Sequence, residues 1–301
     1  MEWNKTLNKV NKIFNKFGIY DWIIVAIVLS TGLKISMMPI HSDFKPYIIS
    51  YIDFPHRTST IPYESLCILI FGVGGLITII IWVMYESSLT PMLSKCLAAY
   101  YFSISLTIFV ESGLKYYVGR PRPDTLSNCQ ININSSVSFQ QCAQVLSSYS
   151  ASDQFLSFPS GHAAESMASC VFISLLLTKI LYSSNEDSKT NSKENYNSSI
   201  QSIKGVQYNQ VNSNNENSFV VQIKNDNPDS VFSTSLLVFL QILPIGFAIY
   251  VAFSRIWDRM HHTDDVVMGM ILGALVSKIT FNAFDFGTKN DFNEDLPASD
   301  F

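Results

Sequence analysis

Charge is what this chain has least of. Only 15% of its 301 residues are Asp, Glu, Lys or Arg, against roughly 25% in soluble domains. The net charge is −4, and neither a basic stripe nor a nucleic-acid-binding motif is present, which excludes nucleic acid as a partner. Cysteine is scarce. Five cysteines do not make a disulfide framework. Cys67, Cys96 and Cys170 lie in apolar runs and read as small packing residues. Cys129 and Cys142 share one polar loop, where pairing depends on the redox state of the compartment and spacing alone leaves it open. No convincing cleavage site follows the first apolar stretch, so that stretch is expected to stay in the mature protein. No internal repeat stands out.

What is abundant is apolar: 48% of the chain, with 21 Phe and 14 Tyr, gathered into long runs. Six of these approach the ~20 residues that a helix needs to cross the hydrocarbon core. They run over about 20–39, 65–84, 92–114, 163–182, 231–253 and 266–284. The fold class is therefore all-α, a polytopic membrane protein with six transmembrane helices. Gly72, Gly74 and Gly75 in the second span suit close helix contact, and Pro244 with Gly246 suits a kink in the fifth. Charged residues are expected to be absent from most span interiors, with Lys34 the main exception and near enough to an end to snorkel.

The remaining segments divide the chain. Residues 1–19 carry Lys5, Lys9, Lys12 and Lys16 opposite an apolar stripe and read as an amphipathic surface helix or a basic tail. Residues 20–182 form a core of spans 1–4 and residues 231–285 a core of spans 5–6. Between them, 183–230 is an Asn/Ser-rich insert with the composition of disorder, and 286–301 is an acidic tail. The loop from about 40 to 64, with three prolines and several aromatics, reads either as a cover for a site or as a packed connector. An even span number puts both termini on one side. That side holds twelve of the twenty Lys/Arg, four of them in the N-terminal tail. The positive-inside rule then predicts cytoplasmic termini.

This topology places three polar clusters on the opposite, lumenal or extracellular, face. The third span ends in Lys115-Tyr116-Tyr117-Val118-Gly119-Arg120-Pro121-Arg122-Pro123. The fourth begins with Ser157-Phe158-Pro159-Ser160-Gly161-His162. The fifth and sixth are joined by Ser254-Arg255 through His261-His262-Thr263-Asp264-Asp265. Lys115, Arg122 and Arg255 are three cations without an equal number of nearby carboxylates in the sequence, suited to phosphate oxygens. Ser160 and Gly161 precede a helix whose free N–H groups favour an anion. One histidine can attack phosphorus while the other protonates the departing oxygen. Asp265, four residues after His261, is placed to hold the imidazole tautomer if the sixth helix reaches back. His261, His262, Asp264 and Asp265 also read as ligands for a divalent ion, but the three surrounding cations oppose a metal and suit a bare phosphate.

Taken together, Lys115-x6-Arg122-Pro123, Pro159-Ser160-Gly161-His162 and Ser254-Arg255-x5-His261-x3-Asp265 resemble the three-part signature of the type 2 phosphatidic acid phosphatase superfamily. The likeness is to the branch of lipid phosphate phosphatases and diacylglycerol pyrophosphate phosphatases. It covers about residues 20–285 and implies a phosphatase/haloperoxidase-like helical core. It further implies that Lys115, Arg122, Ser160, Gly161 and Arg255 bind phosphate, that His261 becomes a phosphohistidine, that Asp265 orients it and that His162 is the acid. No cofactor and no metal are implied. The partners are a lipid phosphate substrate and the bilayer; the oligomeric state is open. Ser254 is expected to position Arg255, and Arg120, Asp258, Arg259, His262 and Asp264 to be solvated or supporting neighbours. Asn134-Ser135-Ser136 is a candidate glycosylation sequon on the outward face, whereas Asn4 and Asn197 fall on the cytoplasmic side. The substrate is expected to be phosphatidate or a related lipid phosphate monoester, with diacylglycerol pyrophosphate in the same reading, and polyprenyl diphosphate, sphingoid phosphate and sugar phosphate as alternatives. An anion or lipid transporter and a non-catalytic lipid-binding scaffold are the readings from other classes.

Overall fold

The computed structural model describes residues 11, 14–15, 18–38, 52–86, 91–131, 137–181 and 234–284. The insert 183–230, the tail 286–301, Asn134 and nearly all of the basic N-terminal segment lie outside the described residues. The chain divides into two units, one of Met1–Leu176 with Ile242–Phe301 and one of Leu177–Gln241. The candidate site lies wholly in the first. Among the described residues regular structure is helical throughout.

Six helices among the described residues are long and apolar enough to cross a membrane. They are α1 (Ile19–Ser36), α2 (Tyr63–Cys67 continuing through a π-helical stretch Ile68–Val73 into Gly74–Glu86) and α3 (Pro91–Val118). Three short helices follow: α4 (Thr125–Cys129), α5 (Phe139–Val145) and α6 (Ser148–Asp153). The remaining long helices are α7 (Gly161–Leu181), α8 (Thr234–Trp257) and α9 (Thr263–Ala283). Side chains such as Ile23, Ile27 and Ile80, together with Phe239, Ile242 and Ile279, are large, apolar and exposed, as a hydrocarbon-facing surface requires. The helix α8 runs unbroken through Pro244.

The helix ends that carry the three polar clusters extend beyond the expected spans. The apolar runs end near 114 and 253, but α3 continues to Val118 and α8 to Trp257, while α7 and α9 start at Gly161 and Thr263. Hydropathy falls where polar side chains begin, yet backbone hydrogen bonding continues as long as neighbours satisfy those side chains. The helix α3 opens on Pro91, whose missing N–H is no loss in a first turn. It closes on Gly119, whose φ of 59° suits the left-handed C-terminal position and whose N–H returns to the Lys115 carbonyl.

Two devices bring the helices together. The π-helical stretch of α2 shifts its hydrogen-bond register, and the carbonyls of Ile70 and Phe71 receive the hydroxyls of Tyr100 and Tyr101 from α3, at 2.5 and 2.8 Å. Gly74 and Gly75 make room for these hydroxyls, because a Cβ at either position would run into them. Gly72, expected to share this role, has no neighbour that a Cβ would meet. The Tyr100 hydroxyl also lies 2.7 Å from Ser169 Oγ of α7. The second device is Gly269-x3-Gly273 on α9. A Cβ on Gly269 would stand 2.5 Å from the Ser160 carbonyl oxygen, and one on Gly273 would press on the Ala164 and Ala168 backbone. These glycines let α9 pack backbone to backbone against the start of α7.

The loop between α3 and α7, read from the sequence only as polar, is a small cap. Its core is Leu126, Cys129, Val137, Cys142, Ala151 and Phe155, joined by Ile52 from the preceding loop. Cys129 and Cys142 form a disulfide, with Cα atoms 4.6 Å apart. The described part of the 40–64 loop is a strap across this face. Phe54 N–H donates to the Pro123 carbonyl and Leu126 N–H to the Ile52 carbonyl, and His56 Nδ1 lies 2.8 Å from Asp124 Oδ2.

Candidate active site

The three polar clusters converge. A cavity of about 540 Å³ is lined by Lys115, Arg122, Gly161, His162, Arg255 and His261, with Tyr63 and Glu111 beside them and Leu33, Met37, Met38, Ile108 and Leu156 on its apolar side. Ser160 and Asp265 are not among its lining residues. Both are wholly buried behind it.

His261 sits in the connector between α8 and α9, 4% exposed. Its Nδ1 lies 2.7 Å from the Ser157 carbonyl oxygen. A carbonyl only accepts, so Nδ1 carries the hydrogen and Nε2 keeps its lone pair. Burial first, then the charges of Arg122 and Lys115, holds this imidazole well below its ordinary pKa, leaving it neutral at neutral pH. The acid expected to orient it does so only indirectly. Asp265 Oδ2 is 3.9 Å from His261 Nδ1, because α9 starts at Thr263 and its first turn turns the carboxylate onto its own cap. There Asp265 Oδ2 accepts from His262 N–H at 2.9 Å and from Ser157 Oγ at 2.5 Å, with His262 Nδ1 at 3.0 Å. Arg120 Nη1 donates to Asp265 Oδ1 at 2.6 Å and to Asp264 at 2.5 Å. These bonds outweigh the burial of Arg120 and hold its guanidinium above its ordinary pKa. Arg120 and His262, expected to be solvated or supporting neighbours, take the supporting part and secure Asp265, and Ser157 links Asp265 to His261.

His162 opens α7. Its Nε2 lies 3.0 Å from the Ile61 carbonyl oxygen of the strap, which by the same logic places a proton on that nitrogen. The Tyr63 ring packs against it, 5.6 Å between centroids. Ser160 N–H donates to the Asp265 carbonyl at 3.0 Å, so α9 is tied to the start of α7, while Ser160 Oγ is buried without a hydrogen-bond partner. Gly161 is required by what lies over it: a Cβ there would come within 2.9 Å of Glu111 Oε1 and Lys115 Nζ.

The three cations are not short of carboxylates, contrary to the sequence expectation. Lys115 Nζ lies 3.6 Å from Glu111 Oε1. Arg122 Nη2 donates to Asp153 Oδ1 at 2.7 Å and its Nε to the Asp153 carbonyl at 2.9 Å. Arg255 Nη2 donates to Asp258 Oδ2 at 2.8 Å, Nη1 to Ser59 Oγ at 2.9 Å, and Nε to Ser254 Oγ at 3.1 Å. Asp258, only 2% exposed, also accepts from the N–H and hydroxyl of Thr60, at 2.7 and 2.6 Å. Of the two parts expected for it, solvated or supporting, it takes the supporting one as a buried partner of Arg255. The helical spacings Glu111-x3-Lys115 and Arg255-x2-Asp258 carried this signal. The Asp153 partner came from the unforeseen cap. Charged span interiors were also missed: Glu111 and Glu165 are both buried within α3 and α7. Among the described residues no group of three His, Cys, Asp or Glu side chains is gathered as a metal-ligand set; Asp264 and Asp265 are turned to Arg120.

Residues 97–289 match the model of the PAP2 superfamily, well over half of the chain. Phospholipid phosphatase 1 of Mus musculus is 24% identical over 84% of this chain and 80% of its own length. Lipid phosphate phosphatase 1 of Arabidopsis thaliana is 22% identical over 88% and 67%. Probable diacylglycerol pyrophosphate phosphatase 1 of Schizosaccharomyces pombe is 24% identical over 62% of this chain and 52% of its own length. No solved structure matches significantly. With this match over more than half of its length and six membrane-length helices among the described residues, the chain belongs to the PAP2 superfamily, in its lipid phosphate phosphatase branch.

Proposed function

We propose that this membrane phosphatase hydrolyses phosphatidate and related lipid phosphates, including diacylglycerol pyrophosphate, through a phosphohistidine at His261. The observation that carries the reading is the Ser157 carbonyl at His261 Nδ1. It leaves Nε2 with a lone pair on a neutral imidazole that lines the cavity, which is what a nucleophile needs. The Nε2 lone pair attacks phosphorus and the bond to the lipid oxygen breaks. His162, as imidazolium with its Nε2–H kept on the Ile61 carbonyl, gives its Nδ1 proton to that oxygen, releasing the alcohol and leaving the ring neutral. His162 then takes a proton from water, whose oxygen attacks phosphorus and breaks the P–N bond. Lys115, Arg122 and Arg255 hold the phosphate oxygens, helped by the Ser160 hydroxyl and by the N–H of Gly161 at the start of α7. The cations supply the charge stabilisation that a metal supplies elsewhere, so no metal takes part. The apolar side of the cavity receives acyl chains while the phosphate reaches the polar side.

The site faces the lumen or the exterior, with both termini cytoplasmic. The lysine-rich N-terminal tail supports this orientation, as does a disulfide on the cap, since such bonds persist in oxidising compartments. The candidate glycan at Asn134 would share that face. The test is phosphate release from a lipid panel by purified protein in detergent with excess chelator. Activity is expected to survive chelation and to vanish in His261→Ala. Full turnover by His261→Ala would overturn the nucleophile, and complete loss on chelation would overturn the metal-free mechanism.

A further inference from the structure

Glu111 and Glu165 take no part in the mechanism above, yet they lie directly against it. Glu111 is 4% exposed and Glu165 1%. They come from different helices, α3 and α7, and their carboxyl groups stand within hydrogen-bonding reach of each other. Glu111 Oε2 and Glu165 Oε2 receive no hydrogen bond from any donor among the described residues. The charged and titratable groups facing the pair are Lys115 on α3 and Tyr63 and Cys67 on α2. The Tyr63 hydroxyl donates to Glu165 Oε1 at 3.1 Å, and Lys115 Nζ lies 3.6 Å from Glu111 Oε1.

Two carboxyl groups facing each other in a dry interior do not both ionise; a proton between them supplies the missing hydrogen bond. With one proton the pair carries a single negative charge, which balances Lys115. A phosphate arriving at Lys115 brings further negative charge beside this pair. The pair can remain next to it at low cost only by taking a second proton, which also releases Lys115 to the phosphate. Gly161 lies against both Glu111 and Lys115, so the pair sits at the floor of the phosphate site, and Tyr63 lines the same cavity.

We infer that Glu111 and Glu165 form a proton-binding site coupled to phosphate binding, taking up one proton from solvent as the oxyanion docks on Lys115. This rests on the proposed phosphate site. The pair would make the enzyme bind phosphate groups more tightly as pH falls.

The probe is tungstate, a tetrahedral oxyanion that stays doubly charged around neutral pH, titrated calorimetrically into the full-length protein in buffers of different ionisation enthalpy. Wild type is expected to take up about one proton per tungstate bound, and its affinity to fall up to tenfold per pH unit as pH rises. In Glu111→Gln/Glu165→Gln the uptake and the pH dependence should both disappear while tungstate still binds. Infrared difference spectra of wild type give a readout that needs no variant: tungstate should add a protonated-carboxyl band. Binding without proton uptake, or uptake that survives in the double variant and is lost in His162→Asn, overturns the inference; the latter assigns the proton to the imidazole. Absence of tungstate binding in wild type, detected also as no competition with substrate, overturns the phosphate site itself and the inference with it.

Discussion

Asp265→Asn should lower kcat by about one to two orders of magnitude and leave the His261 tautomer unchanged. Where a carboxylate alone fixes a catalytic imidazole, its amide costs about 10⁴ in kcat because the ring adopts the wrong tautomer. Here the Ser157 carbonyl, 2.7 Å from Nδ1, fixes it instead. What Asp265 offers His261 is electrostatic: a negative charge 3.9 Å from a ring that would become positive as the proposed phosphohistidine forms. At an effective dielectric constant of ~20 that attraction is about 4 kcal/mol. Arg120, 2.6 Å from the same carboxylate, cancels the larger part and leaves ~1.4–2.7 kcal/mol, which is 10- to 100-fold. Asn retains an oxygen that can accept from Ser157 Oγ or His262 N–H, so the connector is expected to keep its place. The assay pairs turnover on a short-chain lipid phosphate in mixed micelles with nitrogen NMR of histidine-labelled protein. A loss near 10⁴ accompanied by transfer of the ring proton from Nδ1 to Nε2 would refute the carbonyl's role. Unchanged turnover would refute the electrostatic one.

His261 is held well below its ordinary pKa by burial and by Arg122 and Lys115, so the acid limb that it imposes on kcat/KM should lie below the ~6.5 of a free imidazole. The sign for stability is the same: below that pH the unfolded chain binds a proton that the folded one does not, so stability falls as pH drops towards the folded pKa, by up to ~1.4 kcal/mol per pH unit. An NMR titration of His261 centred near 6.5 would contradict both. Gly273→Val should cost about 1–3 kcal/mol, since even a Cβ there stands 2.9 Å from Ala164 C and Ala168 N. The melting temperature in detergent should fall and kcat should fall more than KM rises, because α9 carries Asp265; an unchanged melting temperature would show that α7 and α9 do not pack through this glycine.

The six spans were legible because hydrocarbon demands long apolar runs, and the cavity-lining residues were legible because their three clusters fall at one end of those runs. Helix ends were placed short by up to four residues: hydropathy ends at Leu114, but the hydrogen-bonded turn carrying Lys115 continues to Val118. The partners were harder to see. Glu111 and Asp258 stand at helical spacing from Lys115 and Arg255, a local signal available in the sequence. Asp153 reaches Arg122, and Ser157 reaches His261, across more than thirty and one hundred residues respectively, and such pairings arise only when the cap and α9 have packed. The cap itself has a core of scattered small and apolar residues, with no run or period to announce it.

Pairing every site cation changes what the cavity selects. Three bare cations would attract any anion and would be costly to gather at a membrane surface. With Glu111, Asp153 and Asp258 in place the cluster is cheap to assemble, and on the proposed function a phosphate must compete with these carboxylates for the cations. The partners differ in how readily they yield. Asp153 lies on the cap with its side chain 46% exposed, so water can take it over when Arg122 turns to the substrate. Asp258 is buried and also holds Thr60, so Arg255 keeps its partner and serves as a fixed wall. Glu111 is buried too, but it alone faces a second carboxyl group, and a proton can neutralise it without moving it. If Lys115, Arg122 and Arg255 hold the phosphate as proposed, a carboxylate that can be hydrated, one that cannot be displaced and one that can be protonated give them different parts in holding it.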